Sequence, residues 1–333
     1  MGKLRHGLYL PPFGPFGDPA VLVELAVRAE AAGWDGVFLW DHVVPGEPPI
    51  ADPWTTLAAI AQATSTILLG PMVTPPARRR PWVLARQAST VSRLSRGRLV
   101  LGTGLGSDET GDFSRFGEPL GPRSAKFDEA LAIMRAVWSG AEVHHRGTHF
   151  HVDLDAGAPE PHPIPVWTAL STDHPRVLAR ATRGDGIFPL AGPHPPAPDE
   201  LARLVTATRP PGRPFAVAVA GNASPAWDHP SPVDLGALTE AGLTWWLESL
   251  IHFDPLDLSM TVVDAGPPRR SDLQPNATPH STPEPPARSR NEATIDPGTF
   301  TTPPPGPAPS STPSTPAGNL ALSPKPTALS TSR

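Results

Sequence analysis

Two adjacent polar residues, Asp41 and His42, directly follow an apolar run that ends at Trp40. A histidine side chain ionises near neutral pH, so it can hydrogen-bond a bound molecule or move a proton. The apolar run is typical of a buried strand, which places both residues just beyond a strand end. The pattern therefore predicts catalytic roles for His42 and Asp41.

A second candidate is the loop 102–106, where glycine occupies every other position after the apolar residues 99–101. Glycines let a backbone lie close to a ligand. The spacing differs from the G-x-G-x-x-G pattern of dinucleotide sites, and no helix is predicted to begin directly after it. We expect this loop to lie against a flat ligand rather than a pyrophosphate.

A third candidate is the hydroxyl pair Ser171 and Thr172, which precedes Pro175. Proline is suited to the first turn of a helix, and free backbone amides at a helix start together with hydroxyls form a phosphate site. Thr172 or Asp173 is equally suited to ordinary helix capping, which needs no ligand. The residues alone leave both interpretations open.

The composition excludes several classes of function. A net charge of −5 over 333 residues does not suit a nucleic-acid-binding protein, which carries a basic face. The chain has no cysteine, which rules out disulfides and thiolate metal sites. The first residues lack the apolar core of a signal peptide, and no apolar run approaches the ~20 residues of a membrane span. We expect a cytoplasmic protein that binds neither nucleic acid nor membrane.

The apolar runs that carry these candidates alternate with amphipathic helical segments. The first helix shows the pattern, with Asp18 as its N-cap, Pro19 at its first position and Gly33 at its end. Eight apolar strands with seven amphipathic helices between them, in about 250 residues, predict an α/β fold, a (β/α)8 TIM-like barrel with its active site at the strand C-terminal ends. A doubly wound open sheet is the alternative.

Two segments interrupt the alternation. Residues 140–163, after the fourth helix, are rich in His, Gly and Pro and predict an insertion, a solvated hairpin whose histidines lack the spacing of a metal site. We therefore predict no metal. From residue 269 onward the chain is mostly Pro, Ser, Thr and Ala, which predicts one domain over 1–268 and a disordered tail over 269–333.

Several consecutive motifs resemble the luciferase-like, flavin-dependent monooxygenase and oxidoreductase family. The resemblance covers about residues 4–269. Its most specific stretches are 32–42 (AGWDGVFLWDH), 69–75 (LGPMVTP), 79–87 (RRPWVLARQ) and 94–106 (LSRGRLVLGTGLG). Their order along the chain is far more specific than any one of them alone.

The resemblance implies a TIM-like barrel that binds FMN or the deazaflavin coenzyme F420 at the strand C-terminal ends. It places the segment around Thr74 against the isoalloxazine ring, often with a non-proline cis peptide, and Asp41 and His42 near the reactive face. The other implied cofactor contacts are Gly104, Leu105, Gly106 and Ser107 along the ring, and Ser171 and Thr172 at the phosphate.

The chain departs from the family pattern just after the glycine loop. FMN-binding relatives often carry an arginine there, where this chain has Ser107-Asp108-Glu109-Thr110. Two carboxylates beside a phosphate repel it. We therefore expect that Asp108 and Glu109 point away, or that a positive charge is supplied by one of three nearby arginines, Arg78, Arg79 or Arg115.

The resemblance implies a flavin-dependent oxidoreductase, and we expect a monooxygenase that uses reduced FMN and oxygen on a small organic substrate. A separate flavin reductase and a homodimer are the partners it implies. Hydride transfer through F420 is the first alternative. Two others are a non-catalytic flavin-binding protein and a barrel glycoside hydrolase in which Asp41 and Glu248 are the paired acid and base.

Overall fold

The computed structural model describes residues 3–43, 48–190, 194–228, 233–251 and 253–268. Within these residues, eight parallel strands alternate with helices and form a nearly closed barrel, which confirms the TIM-like prediction. The barrel strands are β1 (Arg5–Leu10), β2 (Gly36–Leu39), β3 (Leu68–Pro71), β4 (Leu101–Thr103), β7 (Val166–Leu170), β8 (Gly186–Pro189), β9 (Ala216–Gly221) and β10 (Trp245–Ser249). The predicted tail, 269–333, lies outside the described residues and stays a prediction.

The helices cover the outside of the barrel. They are α1 (Pro19–Ala32), α2 (Pro53–Ala63), α3 (Pro81–Leu94), α4 (Arg123–Ser139), α5 (Pro175–Ala181), α6 (Pro198–Thr208), α7 (Leu235–Glu240) and α8 (Leu256–Ala265). Helix α1 begins and ends as predicted: the Asp18 side chain accepts a hydrogen bond from the Ala20 amide, and Gly33 ends the helix with φ of 89°. Helix α8 is absent from the sequence-based prediction.

Strands β3 and β4 close the barrel through single bridges, Leu69 to Leu99 and Thr74 to Thr103. Glycine is required where the two strands approach. A Cβ atom at Gly70 would overlap the Val100 carbonyl oxygen. The peptide bond between Met72 and Val73, just before the second bridge, is cis, as the resemblance implies for this segment.

Large side chains fill the barrel interior below the site. Phe38, Trp167, Phe188, Trp245 and Leu247 form one buried cluster, with aromatic rings 5.4–5.9 Å apart between its tryptophans and Phe38. Burying a side chain of this size stabilises the fold by roughly 1.5–3 kcal/mol. The packed interior leaves the C-terminal mouth as the place for a ligand.

The insertion after α4 is the predicted hairpin, formed by β5 (Val143–Arg146) and β6 (His151–Leu154). Glu129 of α4 holds its turn by accepting hydrogen bonds from the Thr148, His149 and Phe150 amides and contacts His145 Nε2 at 3.1 Å. Over the described ranges, no cluster of His, Asp and Glu is arranged to hold a metal ion. In the same ranges, no helix is long and apolar enough to span a membrane.

Candidate active site

The C-terminal ends of the barrel strands open into a cavity of about 1200 Å³. Seven of the predicted site residues line it. They are Asp41, His42, Gly104, Leu105, Gly106, Ser107 and Ser171. Thr74 and Thr172 are not among the lining residues, although Thr74 is fully buried beside the cavity.

His42 is held in one orientation at the cavity wall. Its Nδ1 atom lies 2.6 Å from Oδ2 of Asp112. A carboxylate only accepts hydrogen bonds, so a neutral imidazole here carries its proton on Nδ1 and a lone pair on Nε2. The His42 side chain is 27% exposed. The arrangement therefore presents a positioned proton acceptor to the cavity.

Asp112 is a site residue that the sequence reasoning missed. Its carboxyl group is 1% exposed, also accepts a hydrogen bond from the Val43 amide, and lies 3.2 Å from an Arg78 nitrogen. The residue is seventy positions from His42 along the chain. The one available signal was its place between Gly111 and Phe113 in the loop after β4, a strand end of the barrel.

Asp41 is part of a buried ion cluster. Its carboxylate accepts hydrogen bonds from Thr74 Oγ1 at 2.7 Å, from Arg78 at 2.9 Å and from Arg79 through two nitrogens. Trp54 donates in turn to Thr74 Oγ1. Both Asp41 oxygens are engaged, so the carboxylate ties the end of β2 to the segment after β3. This geometry favours a positioning role over the catalytic role that the sequence predicted for Asp41.

Glu248 lies beneath the cavity and does not line it. It is fully buried and accepts hydrogen bonds from the Ala223 and Ser224 amides and from the indoles of Trp227 and Trp246. Burial raises the pKa of this carboxyl group, against the lowering effect of these donors. Asp41 and Glu248 are both enclosed by other partners, which argues against the glycoside hydrolase alternative.

Aromatic side chains form the floor of the cavity next to His42. The Trp40 ring lies 5.3 Å from Tyr9, 5.9 Å from Phe13 and 6.0 Å from His42. The Trp40 indole nitrogen is buried and has no hydrogen-bond partner among the described residues. Burial raises the pKa of the Tyr9 hydroxyl, which therefore stays protonated. This floor suits a flat aromatic ring.

The glycine loop lines the cavity as predicted, but its glycines are needed for a different reason. A Cβ atom at Gly104 would lie 2.7 Å from the Val73 side chain, and one at Gly106 would lie 2.9 Å from Pro75. Gly102 meets Pro71 in the same way. The alternating glycines thus let the loop after β4 pack against the segment after β3. The sequence reasoning assigned this close approach to a ligand.

The positive charge beside the glycine loop comes from Arg123. Arg78 and Arg79 are occupied by Asp41, and Arg115 does not line the cavity, so the three predicted arginines are not the source. Arg123 lines the cavity and donates to the Gly106 carbonyl at 2.7 Å. Its guanidinium also lies over the Phe113 ring at 5.3 Å, and among the described residues it forms no ion pair within 4 Å.

Asp108 is partly turned into its own loop. Its carboxylate accepts hydrogen bonds from the Phe113 and Ser114 amides. These bonds, of which the one from Ser114 has the larger effect, hold the pKa of Asp108 below its usual range.

The start of α5 differs from the prediction. Its N-cap is His174, whose Nδ1 accepts from the Arg176 amide, instead of Thr172 or Asp173, because Pro175 fixes the first helical position.

The chain is similar over part of its length to curated F420-dependent enzymes. An F420-dependent glucose-6-phosphate dehydrogenase of Beutenbergia cavernae is 36% identical over 184 residues, which are 52% of this chain and 53% of that protein. The chain thus spans about half the length of the curated relatives it matches.

Solved structures share the barrel. An F420-dependent secondary alcohol dehydrogenase, solved with an F420–acetone adduct, aligns with a TM-score of 0.63 at 18% identity and covers 79% of this chain and 98% of its own. The FMN complex of the oxygenating constituent of 3,6-diketocamphane monooxygenase from Pseudomonas putida aligns at 0.55 with 20% identity, covering 66% and 67%. At these identities the likeness shows the fold alone.

The sequence of the barrel itself carries the family signature. The model of the luciferase-like monooxygenase family matches residues 6–234, which include the barrel strands from β1 to β9 and the candidate residues His42 and Asp112. The chain therefore belongs to the luciferase-like monooxygenase family.

Proposed function

We propose that this protein is an F420-dependent oxidoreductase that transfers a hydride between a small hydroxyl-bearing substrate and the deazaflavin. The curated relatives similar to half of the chain are F420-dependent by name. That similarity supports the deazaflavin alternative more than the FMN monooxygenase that the sequence analysis placed first. A separate flavin reductase belongs only to the FMN alternative, and the expected homodimer stays a prediction.

The residues present fit a deazaflavin. The cavity has the volume for a tricyclic ring beside a small substrate, and its floor and the glycine loop offer flat apolar surface through Tyr9, Val73 and Leu105. Arg123 provides a positive charge beside the loop that has no ion pair within 4 Å among the described residues. We expect it to hold the cofactor phosphate together with the nearby hydroxyls Ser107 and Ser171.

The chemistry of the chain centres on one proton. When bound, F420 supplies the acceptor for a hydride from a substrate carbon. His42 Nε2 accepts the proton of the hydroxyl group on that carbon, so an alcohol loses one hydride and one proton and becomes a carbonyl compound. Asp112 holds the imidazole tautomer and stabilises the imidazolium that forms. The reverse reaction uses the same groups.

The observation that carries this proposal is the His42–Asp112 pair at the cavity wall. Its test is a titration of the purified protein with F420 and, separately, with FMN, followed by fluorescence. We expect F420 to bind more tightly and His42→Ala to bind F420 without reducing it in the presence of an alcohol. Binding of FMN alone would favour the oxygenase, and binding of neither would contradict any flavin-linked function.

A further inference from the structure

We infer that the substrate is an uncharged, largely apolar alcohol or the corresponding carbonyl compound, and not a phosphorylated sugar. This inference rests on the proposed function, because it takes the His42 end of the cavity as the reacting end. It separates the chain from the glucose-6-phosphate dehydrogenases that its sequence partly resembles. Three observations on the cavity wall carry it.

The first observation is the neutrality of the wall that faces the glycine loop. Strands β8, β9 and β10 contribute apolar surface there, chiefly Leu190, Val219, Ala220 and Ile251. Asn222, which also belongs to this wall, donates from its side-chain amide to the Ser249 carbonyl at 2.8 Å, so its hydrogen bond is made within the protein. The exposed imidazole of His194 is the titratable side chain on the described part of this wall.

The second observation is that the cavity holds no cation to spare for a substrate phosphate. Of the three guanidinium groups among the described lining residues, Arg78 is paired with Asp41 and Asp112, and Arg180 binds Asp128 at 2.7 Å. The third, Arg123 at the start of α4, donates to the Gly106 carbonyl of the glycine loop, where the cofactor phosphate needs its charge.

The short segments of the barrel that the structure does not describe add no lysine or arginine to the sequence of this region. These segments are 44–47, 191–193, 229–232 and 252. Of the four carboxyl groups on lining residues, Asp41 and Asp112 are paired with Arg78, whereas Asp108 and Glu109 form no ion pair within 4 Å among the described residues. A phosphate dianion would enter a space with surplus negative charge and would lose its hydration without an ion pair.

The third observation is that a polar partner for one substrate oxygen lies at one end of the cavity. His42 offers an acceptor at Nε2 from a side chain that is 27% exposed at the cavity wall. The Trp40 ring lies 6.0 Å from it and adds apolar surface, because the Trp40 indole nitrogen is itself buried. A molecule with a single hydroxyl or carbonyl group and an apolar body satisfies both regions, as small-molecule pockets generally require.

The test compares three alcohols with the F420-loaded protein: cyclohexanol, glucose and glucose 6-phosphate. We expect cyclohexanol to reduce F420 with a kcat/KM at least tenfold above that of glucose 6-phosphate. A smaller ratio, or a preference for the phosphorylated sugar, would overturn the inference. Glucose separates the effect of the phosphate charge from the effect of the sugar hydroxyls.

A charge placed on the neutral wall gives a second, independent measurement. Leu190→Lys, at a side chain that is 38% exposed, should raise kcat/KM for glucose 6-phosphate at least threefold and lower it for cyclohexanol, whereas the neutral Leu190→Gln should not. Equal responses of the two variants would count against the inference.

The failure of this inference differs from failure of the proposed function. If F420 does not bind, the proposed function fails, and calorimetric titration of cyclohexanol and glucose 6-phosphate into the cofactor-free protein still decides the substrate class. If F420 binds and glucose 6-phosphate is preferred, the proposed function stands and the inference fails.

Discussion

The imidazole of His42 and the carboxylate of Asp112 lie 2.6 Å apart, although the two residues are separated by seventy positions in the chain. The buried carboxylate fixes which imidazole nitrogen faces the cavity, and the same oxygen of Asp112 also lies 3.2 Å from Arg78. The orientation of the proton acceptor thus depends on a contact between the loop after β2, which carries His42, and the loop after β4, which carries Asp112.

We expect Asp112→Asn to lower kcat by roughly 10²–10⁴-fold, because an amide nitrogen facing Nδ1 favours the wrong imidazole tautomer. Stopped-flow reduction of F420 measures the effect, and the cofactor Kd should change little. The exposed residue Asp155, just after β6, provides the matched control, Asp155→Asn. An Asp112→Asn enzyme with wild-type turnover would contradict the positioning role.

Asp41 should behave as a structural anchor. Asp41→Asn leaves Arg79 without its buried partner and Arg78 with Asp112 alone, and breaking a buried ion pair from one side costs about 3–5 kcal/mol. Urea unfolding followed by circular dichroism measures this free energy. A variant that loses activity while its unfolding free energy stays at the wild-type value would instead identify Asp41 as a chemical participant.

Arg123 should bind the phosphate of the cofactor. Arg123→Gln is expected to weaken F420 binding about tenfold, or ~1.4 kcal/mol, and to leave binding of the phosphate-free deazaflavin nucleoside unchanged. Fluorescence titration of both compounds makes the comparison. Lys126→Gln removes a nearby charge that is already paired with Glu118, so it serves as the control. Equal losses for both compounds would point to a change in the loop itself.

The close packing of Gly104 on Val73 predicts a compensating pair of substitutions. Gly104→Ala should destabilise the protein by about 1–3 kcal/mol, because its new methyl group meets the Val73 side chain at 2.7 Å. Val73→Ala should recover part of this loss when combined with Gly104→Ala. A double-mutant cycle of unfolding free energies measures the coupling. Strictly additive effects would show that the two side chains do not compete for space.

Glu30 should make stability depend on pH in the acid range. Burial raises the pKa of its carboxyl group, but hydrogen bonds from the Thr66, Ile67 and Ser65 amides outweigh that effect and hold it at about 2, below the ordinary 4.5. The folded state therefore gains stability above pH 4.5, and this gain disappears as the pH falls from 4.5 to 2.

The urea midpoint of Glu30→Gln, measured between pH 7 and pH 2, checks this dependence. The variant should be less stable than the wild-type protein at pH 7, and the difference should shrink toward zero at pH 2. Glu240→Gln, which removes an exposed carboxyl group at the end of α7, serves as the control and is not expected to show that convergence. A difference that stays constant with pH would contradict the assignment to Glu30.

The sequence by itself determined the barrel and the position of its mouth. Caps such as Asp18 and Gly33 act within a few residues, and apolar strands buried on both faces leave a continuous signal, so local spacing is enough to find them. The same signal placed His42 and the glycine loop at strand ends. It failed for α8 and for the cap of α5, where Pro175 occupies the first helical position and His174 is therefore the N-cap.

Only the tertiary structure decided what the site residues do. Asp41 and His42 are neighbours in the chain, yet Asp41 is enclosed by two arginines, whereas His42 lines the cavity and is held by a hydrogen bond with Asp112. Arg123 is the proposed phosphate-binding cation because Arg78 and Arg79 are paired with Asp41 and Arg115 does not line the cavity. Each of these roles depends on contacts between distant segments, and a buried charge takes its role from the partners that surround it.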